Sequence, residues 1–383
     1  MTGEQKRQVE ATAETRRVVV LLGGPSAEHD VSVVSGWAIA DALAEAGVSV
    51  ERIYIDLLGL WWSIPADAAS GRPRPGSFDD PRAVGATRPR TPAMALEELA
   101  AREPGPVVFP ALHGPFGEDG TIQALLEAYG LPYAGAGVAA SAVGMDKALY
   151  KRLVRGLGVK VVEWVEVTAG RWAHDRAGVL VELNAFSESV NELRLMVKPA
   201  RMGSSVGMTI AHTPAERDGA LDAAFRYDSL VLVERYLDHP RELEVAVLGN
   251  DPNALEVFGP GEVFPGREFY DYVAKYSDSA SETNIRAQVD DGLSRRVRQT
   301  ALEAYRAIGC EGFARVDFLL DGRELYLNEI NTIPGFTTIS LFPQLAAAGL
   351  GGFAAVCLKI VDLAEQRHAA RVRQRLTAAD LPR

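Results

Sequence analysis

Near the amino terminus a strand pattern passes directly into a helix pattern, and this succession recurs along the chain. The segment RRVVVLLGG is a β-branched apolar run that ends in glycines, and residues 26–47 carry apolar side chains at helical spacing. A second buried-strand pattern, VVFPALHG, precedes the helix start in GEDGTIQALLEAYG. Because strands that alternate with helices favour a parallel sheet, we expect an α/β protein with a mostly parallel unit. Residues 63–91, crowded with Pro, Gly, Asp and Arg, are predicted to form a loop or insertion.

The composition is that of a folded chain with more than one unit. The 383 residues exceed what one ordinary core needs. With 47% hydrophobic and 24% charged residues, the chain is too apolar for disorder and too interrupted by charge for a membrane protein. No apolar run approaches the roughly 20 residues that span a bilayer. The polar start MTGEQKRQVEATAETRR lacks the apolar region of a secretory signal. We therefore expect a cytoplasmic protein with no membrane partner.

Charge and cysteine usage exclude two further classes. A net charge of -11 argues against a nucleic-acid partner, which needs a basic contact surface. The basic stretch QRHAARVRQRL near the carboxyl end has the spacing of a solvated terminal helix. Cys310 and Cys357 lack CxxC spacing and lie in apolar stretches, which favours core packing over a disulfide or a zinc site.

The second half of the chain is dominated by short strand patterns. They include VEWVEV, LVLVERYL, ELEVAVLGN and two runs near the carboxyl end, with one long helical run at about residues 292–308. The residue composition and the pattern of predicted elements change near residues 135 and 236. These changes predict a polar leader over 1–17, units over 18–135, 136–236 and 237–364, and a basic tail over 365–383.

Two strand patterns near the carboxyl end carry polar residues inside apolar runs. In FARVDFLL and ELYLNEIN, residues two apart share a face, so Arg315 lies with Asp317 and Glu329 with Asn331. Such groups are costly to bury unless they are paired or bind a ligand. If the strands pair through the DGRE turn, the three oxygen-bearing side chains converge as ligands suited to Mg²⁺ and phosphate, with Arg315 beside them. A buried Arg–Asp ion pair is the alternative.

Candidate nucleotide contacts occur earlier in the chain. In VKPARMGSSVG, Lys198 supplies a compact positive charge, and Ser204 and Ser205 could cover phosphates in a glycine-flanked turn. An ordinary glycine–serine turn is the alternative, since no Walker A sequence occurs. Glu234 and Glu242 follow the next strand pattern and could accept hydrogen bonds from a purine amino group and ribose hydroxyls. They could equally be solvated surface acids.

Polar residues also stand where the amino-terminal strands end. Ser26 and Glu28 lie between the first strand and its helix, the usual binding crevice of an α/β sheet. A carboxylate there could receive the ammonium group of an amino acid, whereas Ser26 could be a helix N-cap. His113 and Glu118 form a second polar pair at a strand end, where a lone histidine is more often structural.

Two candidate ligand-contacting segments lie towards the carboxyl end. Residues 269–289, FYDYVAKYSDSASETNIRAQV, have the character of a mobile lid, with Lys275 and Tyr276 as the candidates for ligand contact. In NTIPGFTTISLFPQL, Gly335, Ser340 and Leu341 could form a backbone and hydroxyl pocket for a carboxylate.

Taken together and in order, these segments resemble the D-alanine:D-alanine ligases of the ATP-grasp superfamily. The resemblance runs from about Val18 to Ala364 through GGPSAEHDVS, HGPFGEDGTIQALLE, PYAGAGVAASAVGMDK, VKPARMGSSVG, FYDYVAKY, GFARVDF and NEINTIPGFTTIS. It implies an α/β, three-domain ATP-grasp fold with a Rossmann-like parallel amino-terminal domain and ATP between the central and carboxyl-terminal domains. It also implies that ATP phosphorylates one D-alanine and that the amine of a second D-alanine attacks the acyl phosphate.

The resemblance further implies roles for individual residues. Those implied to bind ATP are Lys147, Lys198, Ser205, Glu234, Arg235, Leu237, Glu242, Phe269, Lys275 and Asn328. Those implied to hold two Mg²⁺ ions, for which Mn²⁺ can substitute, are Asp317, Glu329 and Asn331. The implied catalytic residues are Glu28, Ser204, Arg315 and Gly335, and the implied substrate-binding residues are His113, Tyr276, Ser340 and Leu341. Glu28 and His113 would orient the first D-alanine.

The same resemblance predicts the acceptor substrate and the oligomeric state. A tyrosine at position 276 is similar to the dipeptide-forming members, which favours D-alanine as the second substrate. The chain departs from the family at Arg286, where proline is usual, and at Ala124, where glycine is usual. Two alternatives stay open: a ligase that uses D-lactate or D-serine as acceptor, and a nucleotide-binding regulator without catalysis. A homodimer is expected by analogy.

Overall fold

The first sheet is built from the amino-terminal strands β1 (Arg17–Gly23), β2 (Ser49–Ile55), β3 (Trp61–Ile64), β4 (Thr87–Arg90) and β5 (Val107–Pro110). In this computed structural model, which describes residues 16–65, 78–265 and 281–372, the strand order is β4-β3-β2-β1-β5. β1 pairs in parallel with β2 and β5, whereas the β2-β3 and β3-β4 pairs are antiparallel. The prediction of a mostly parallel unit is therefore corrected to a mixed sheet. Its antiparallel edge comes partly from the segment predicted to be a loop.

Three helices accompany this sheet: α1 (His29–Glu45), α2 (Pro92–Ala100) and α3 (Thr121–Ala128). The turn from β1 into α1 requires glycine at position 23, where φ is +88° and an added Cβ would lie 2.4 Å from the Ile55 carbonyl oxygen. This turn carries the chain over the carboxyl end of the sheet, where the candidate residues of the amino-terminal segment are located.

The second sheet is antiparallel and belongs to the middle of the chain. Two helices precede it, α4 (Val138–Met145) and α5 (Lys147–Gly156). Its strands are β6 (Trp164–Thr168), β7 (Leu195–Pro199), β8 (Thr209–Ala211) and β9 (Leu230–Arg235), in the order β6-β9-β7-β8. The helices α6 (Ala169–His174), α7 (Arg176–Ser189) and α8 (Arg217–Ala224) share a hydrophobic core with it. The glycine–serine turn of VKPARMGSSVG connects β7 to β8.

The third sheet is also antiparallel. Its strands are β10 (Arg241–Leu248), β11 (Glu256–Pro265), β12 (Ser281–Asn284), β13 (Phe313–Asp321) and β14 (Glu324–Asn331), in the order β12-β11-β10-β13-β14. The helix α9 (Asp291–Ala307) packs on it and confirms the helical run predicted at 292–308. Tyr150 and Val154 of α5 lie in the same core, so this helix bridges the second and third sheets. The domain boundaries near 135 and 236 stay a prediction.

The described part of the chain ends with α10 (Leu341–Leu350) and α11 (Phe353–Val372). Among the described residues, no single helix is long and apolar enough to cross a membrane. Only when α10 and α11 are taken together, as a pair bent by 90°, are the length and the apolar composition sufficient. Cys357 on α11 and Cys310 are both buried, as predicted, and burial raises the pKa of each thiol to about 12. Both cysteines therefore serve packing.

The basic stretch at the end of α11 corrects the prediction of a solvated helix. Arg367 is buried, and its guanidinium donates to the carbonyl oxygens of Tyr133, at 2.7 Å, and Gly135. It also lies 4.2 Å from the centroid of the Tyr133 ring. One turn later, Arg371 pairs with Glu127 and Glu311. The helix therefore fastens the segment that connects the first sheet to α4.

Replacing Arg367 by methionine is expected to lower the free energy of unfolding by about 2–4 kcal/mol, because two buried carbonyl oxygens lose their donor. Urea unfolding monitored by circular dichroism measures this loss. The matched control is Arg295→Met on the exposed face of α9, which is expected to stay within about 0.5 kcal/mol of the parent. Equal unfolding midpoints for the two variants would show that Arg367 does not fasten this segment.

Candidate active site

One cavity of about 500 Å³ is lined by residues of the second and third sheets and by residues of the loops that follow strands of the first sheet. Every predicted site residue within the described ranges lines it, and these are Glu28, His113, Lys147, Lys198, Ser204, Ser205, Glu234, Arg235, Leu237, Glu242, Arg315, Asp317, Asn328, Glu329, Asn331, Gly335, Ser340 and Leu341. Phe269, Lys275 and Tyr276, with the rest of the predicted lid up to residue 280, lie outside the described residues. The roles predicted for individual residues stay predictions.

The third sheet supplies the acidic wall of the cavity. β13 and β14 pair through the predicted DGRE turn, with Arg315 opposite Asn331 and Asp317 opposite Glu329. Nε and an Nη atom of Arg315 each donate to an oxygen of Asp317 at 2.7 Å, and the Asn331 amide donates to the same carboxylate at 2.9 Å. Glu244 on β10 lies 3.3 Å from the Arg315 guanidinium. The predicted ion pair is therefore present, and it faces the cavity.

Arg315 is held in its charged form by these neighbours. Burial lowers the pKa of the guanidinium, but the adjacent Asp317 and Glu244 carboxylates more than offset this effect and raise it well above its ordinary value. A fixed cation beside paired carboxylates can stabilise negative charge that develops on a reacting group.

A β-bulge in β14 adds a residue to this wall. Asp317 pairs with Glu329 but the next residue, Phe318, pairs with Leu327, so Asn328 is inserted between the two pairs. In a regular strand Asn328 and Glu329 would point to opposite faces. Because of the bulge, both line the cavity.

The oxygen donors of this wall fit a divalent cation that is shared with a substrate. Asp317, Glu329 and Asn331 offer hard oxygen ligands, which Mg²⁺ prefers. Lys147 at the start of α5 lies 3.3 Å from Glu329 and donates to the Met202 carbonyl oxygen at 2.7 Å. Among the described residues, no group of three or more His, Cys, Asp or Glu side chains could hold a metal ion unaided. The site therefore suits a cation whose remaining ligands come from phosphate and water.

The second sheet supplies the basic wall. Lys198 at the end of β7 and Lys151 on α5 both pair with the Glu234 carboxylate on β9, at 2.6 and 2.5 Å. All three residues are buried. The reading of Glu234 as a solvated surface acid is therefore wrong. Burial raises the pKa of Glu234, but the two lysines outweigh this effect and leave it lowered.

The glycine–serine turn reaches from the basic wall to the amino-terminal segment. Ser204 and Ser205 have φ values of +47° and +60°, a strained region for residues other than glycine. The Ser204 hydroxyl donates to the carboxylate of Glu28, which is only 4% exposed. An added Cβ at Gly203 would lie 2.3 Å from a Glu28 carboxylate oxygen, and one at Gly114 would lie 2.5 Å from the same atom. The two glycines therefore make room for this carboxylate.

Groups of the amino-terminal segment fix the loop that follows β14. His113 Nδ1 lies 2.8 Å from the Ile333 carbonyl oxygen, which can only accept, so Nδ1 carries the proton and Nε2 accepts from the Ser35 hydroxyl at 2.9 Å. Ser35 accepts in turn from the Phe336 N–H at 3.3 Å, and a carboxylate oxygen of Glu118 accepts from the Ile333 N–H at 3.0 Å. Burial lowers the pKa of His113 to about 4. The imidazole is therefore neutral, and both its nitrogens position residues 333–336.

Two residues predicted to contact ligands, Arg235 and Ser340, form hydrogen bonds within the chain. Arg235 donates to Glu163 and to the Tyr326 hydroxyl, at 2.8 Å each. Ser340, the residue before α10, accepts from the Thr337 N–H at 3.1 Å. The resemblance assigns an adenine contact to the main chain of Arg235, and this is compatible with the pairing of its side chain.

Sequence reasoning missed four residues of the site: Lys151, Glu244, Ser35 and the Met202 carbonyl. Lys151 lies four residues after Lys147, the spacing of one helix face, and Glu244 lies two residues after Glu242, on the same face of a strand. These spacings could have drawn attention to both residues. No signal in the sequence marks Ser35 or the carbonyl of Met202.

Two antiparallel sheets enclose a cavity next to a mixed α/β unit. One sheet presents the buried Lys198, and the other presents an acidic wall with a fixed arginine. This fold and site define the ATP-grasp class of enzymes.

Comparison with known proteins narrows the class to a family. A model described as the D-ala D-ala ligase N-terminus matches residues 17–136, and one described as the D-ala D-ala ligase C-terminus matches residues 153–362. The D-alanine–D-alanine ligase of Heliobacterium modesticaldum is 41% identical over 373 residues, which are 96% of this chain and 98% of the relative. That of Deinococcus radiodurans is 39% identical over 354 residues, which are 91% and 98%. The chain belongs to the D-alanine–D-alanine ligase family.

Solved structures agree with this assignment. The D-alanine-D-alanine ligase from Coxiella burnetii superposes with a TM-score of 0.75 at 31% identity, over 94% of this chain and 97% of that one. The VanG D-Ala:D-Ser ligase from Enterococcus faecalis gives a TM-score of 0.73 at 30% identity, over 91% and 99%. The three-sheet architecture is thus shared with ligases of more than one acceptor specificity.

Proposed function

We propose that this chain joins two D-alanine molecules into D-alanyl-D-alanine with the consumption of ATP, for peptidoglycan precursor synthesis. One observation carries the proposal. A single cavity collects Lys198 of the second sheet, the Arg315–Asp317–Glu329–Asn331 wall of the third sheet and Glu28 of the amino-terminal segment. Phosphate, a divalent cation and an amino acid thus have complementary groups within one enclosure.

The nucleotide end of the cavity is assigned from the family resemblance, with which its lysines agree. Lys147 and Lys198 would contact the phosphates of ATP, Ser205 would cover them, and the adenosine would lie towards Glu234, Arg235, Leu237, Glu242 and Asn328. Asp317, Glu329 and Asn331 would hold two Mg²⁺ ions, or Mn²⁺ in their place. When bound, the cations supply neutralisation of charge on the phosphate oxygens.

The first step activates a carboxylate. A carboxylate oxygen of the first D-alanine attacks the γ-phosphorus of ATP, and ADP leaves as the P–O bond breaks. The Glu28 carboxylate would receive the ammonium group of that D-alanine. His113 would assist by holding residues 333–336 against the cavity, because its neutral ring is bonded to Ile333 and Ser35.

The second step forms the peptide bond. The amine of the second D-alanine attacks the carbonyl carbon of the acyl phosphate and gives up a proton, and phosphate leaves when the tetrahedral intermediate collapses. Arg315 and the Gly335 N–H would stabilise the negative oxygen of that intermediate. Ser204, Ser340 and Leu341 would shape the second subsite, together with Tyr276.

The decisive experiment measures phosphate release from ATP and Mg²⁺ with D-alanine, with L-alanine, and with D-alanine plus D-serine or D-lactate, with mass identification of products. D-alanyl-D-alanine formed from the D-isomer alone is the expected result. A preference for D-serine would assign the chain to the acceptor class that the VanG neighbour is named for. ATP binding without phosphate release under any pairing would instead indicate a nucleotide-binding regulator.

Location and assembly remain proposals of the same kind. We infer cytoplasmic action, because ATP and the precursors of this reaction are cytoplasmic metabolites, and a homodimer by analogy with the family. Sedimentation of the full chain tests the second inference directly, since a single species of about twice 41.2 kDa is expected.

A further inference from the structure

We propose that Lys151 is a positioning residue for ATP, one that keeps the positive charge of Lys198 available to the phosphates by sharing the Glu234 carboxylate. The inference rests on the proposed function, because it assumes that Lys198 meets ATP. Lys151 does not itself line the cavity, and the family resemblance assigns it no role.

The geometry is that of one anion between two cations. The Lys151 ammonium lies 2.5 Å from one oxygen of Glu234, and the Lys198 ammonium lies 2.6 Å from the other. The relative exposures of these side chains are 1%, 7% and 4% for Lys151, Lys198 and Glu234. The triad therefore carries a net charge of +1 in a place where water screens little.

Lys151 decides how much of that charge reaches the cavity. Without it, Glu234 and Lys198 would form a one-to-one ion pair of zero net charge, and the Lys198 ammonium would be drawn onto a single counter-ion. With Lys151 present, one of the two Glu234 carboxylate oxygens is paired on the side away from the cavity. Lys198 then keeps an uncompensated positive field on the side that lines the cavity.

The surroundings of Lys151 hold it in place. Its ammonium lies 5.1 Å from the centroid of the Trp164 ring on β6, and the Arg155 guanidinium lies 4.3 Å from the same centroid. The charged groups that face it from the packed elements are Glu234 on β9, Lys198 on β7 and Glu163 before β6. Burial lowers the pKa of Lys151, Glu234 partly offsets this, and the result is about 8.

The test is equilibrium titration of the full chain with ATP and, separately, with adenosine. Lys151→Met keeps the length of the side chain and removes its charge. We expect it to weaken ATP binding about 10- to 100-fold, the range for loss of one charge-assisted interaction. Adenosine binding is expected to change less than about twofold. Lys160→Met, which removes an exposed lysine paired with Glu324, is the matched control and should leave both affinities unchanged.

Two further measurements separate positioning from a structural role. The double variant Lys151→Met, Glu234→Gln restores the net charge of +1, so the ratio of its ATP affinity to its adenosine affinity should recover relative to the single variant, whatever the change in the adenosine contact. In the parent chain, ATP affinity should fall as the pH rises through about 8, where Lys151 loses its proton, and in Lys151→Met this fall should disappear.

The outcomes are distinct. Equal weakening of ATP and adenosine binding, or no weakening of either, overturns the role of Lys151 while the parent chain still binds ATP. Failure of the parent chain to bind ATP overturns the proposed function itself, and with it this inference.

Discussion

Replacing Asp317 by alanine is expected to lower kcat for D-alanyl-D-alanine formation by about a thousandfold or more, with the fold retained. The carboxylate accepts two hydrogen bonds from Arg315 and one from Asn331, and it is one of the oxygen donors proposed for Mg²⁺. Its removal therefore eliminates a proposed metal ligand. It also releases the Arg315 guanidinium, which would stabilise the tetrahedral intermediate. The loss of one preorganised group of this kind typically lowers the rate 10²–10³-fold, about the size expected here. Steady-state kinetics at saturating ATP and D-alanine measure the loss.

Two comparisons make this prediction sharp. Asp317→Asn keeps the size of the side chain and removes the charge, so it should be nearly as inactive, and raising Mg²⁺ or Mn²⁺ should not restore it. Asp321→Ala removes a carboxylate at the far end of the same strand, outside the cavity, and should leave kcat unchanged. Near-normal turnover of Asp317→Ala at saturating Mg²⁺ would remove the acidic wall from the mechanism.

The residues of that wall were predictable because a strand has a fixed period of two. The alternation in FARVDFLL and ELYLNEIN is enough to place Arg315 with Asp317 and Glu329 with Asn331, and the short turn between the runs specifies their pairing. Helix α9 was predictable for a similar reason, since its apolar positions recur at the helical period over several turns.

The periodicity argument fails where the backbone departs from regular geometry. Asn328 lines the cavity only because a bulge shifts the register beside it, and a bulge has no reliable signal in a single sequence. The strands β3 and β4 are four residues long and lie at the ends of a stretch rich in Pro and Gly. Their pairing comes from the sheet edge next to them, which is a tertiary effect.

Charged residues on helices were the other difficulty. Lys151 and Arg367 both lie in helical segments rich in basic residues, and both are buried in the structure. Long basic side chains are normally exposed, so composition alone assigns them to the surface. What buries them is a partner far away in sequence: the Glu234 carboxylate for Lys151 and the carbonyl oxygens of residues 133 and 135 for Arg367.

Replacing Gly203 by alanine is expected to lower kcat/KM for D-alanine by about a hundredfold, although it adds only a methyl group. The new Cβ would lie 2.3 Å from an oxygen of Glu28 and 2.9 Å from its carboxyl carbon. Glu28 is 4% exposed and bonded to Ser204, so either the carboxylate or the serine turn must move. A displacement of about 1 Å in a positioning group can cost 10²-fold in rate.

Gly219→Ala is the matched control, because it adds the same methyl group in α8, where nothing lies within 4 Å of the new Cβ. It should leave kcat/KM unchanged and raise the free energy of unfolding by up to about 1 kcal/mol through helix propensity. Gly203→Ala should instead fold normally and lose activity, since the collision occurs at the Glu28 carboxylate, which is proposed to bind the substrate, rather than in a hydrophobic core. If its kcat/KM stayed within threefold of the parent, contact between Glu28 and the serine turn would not govern binding of the first D-alanine, and the amino-acid subsite would have to be sought elsewhere along the cavity.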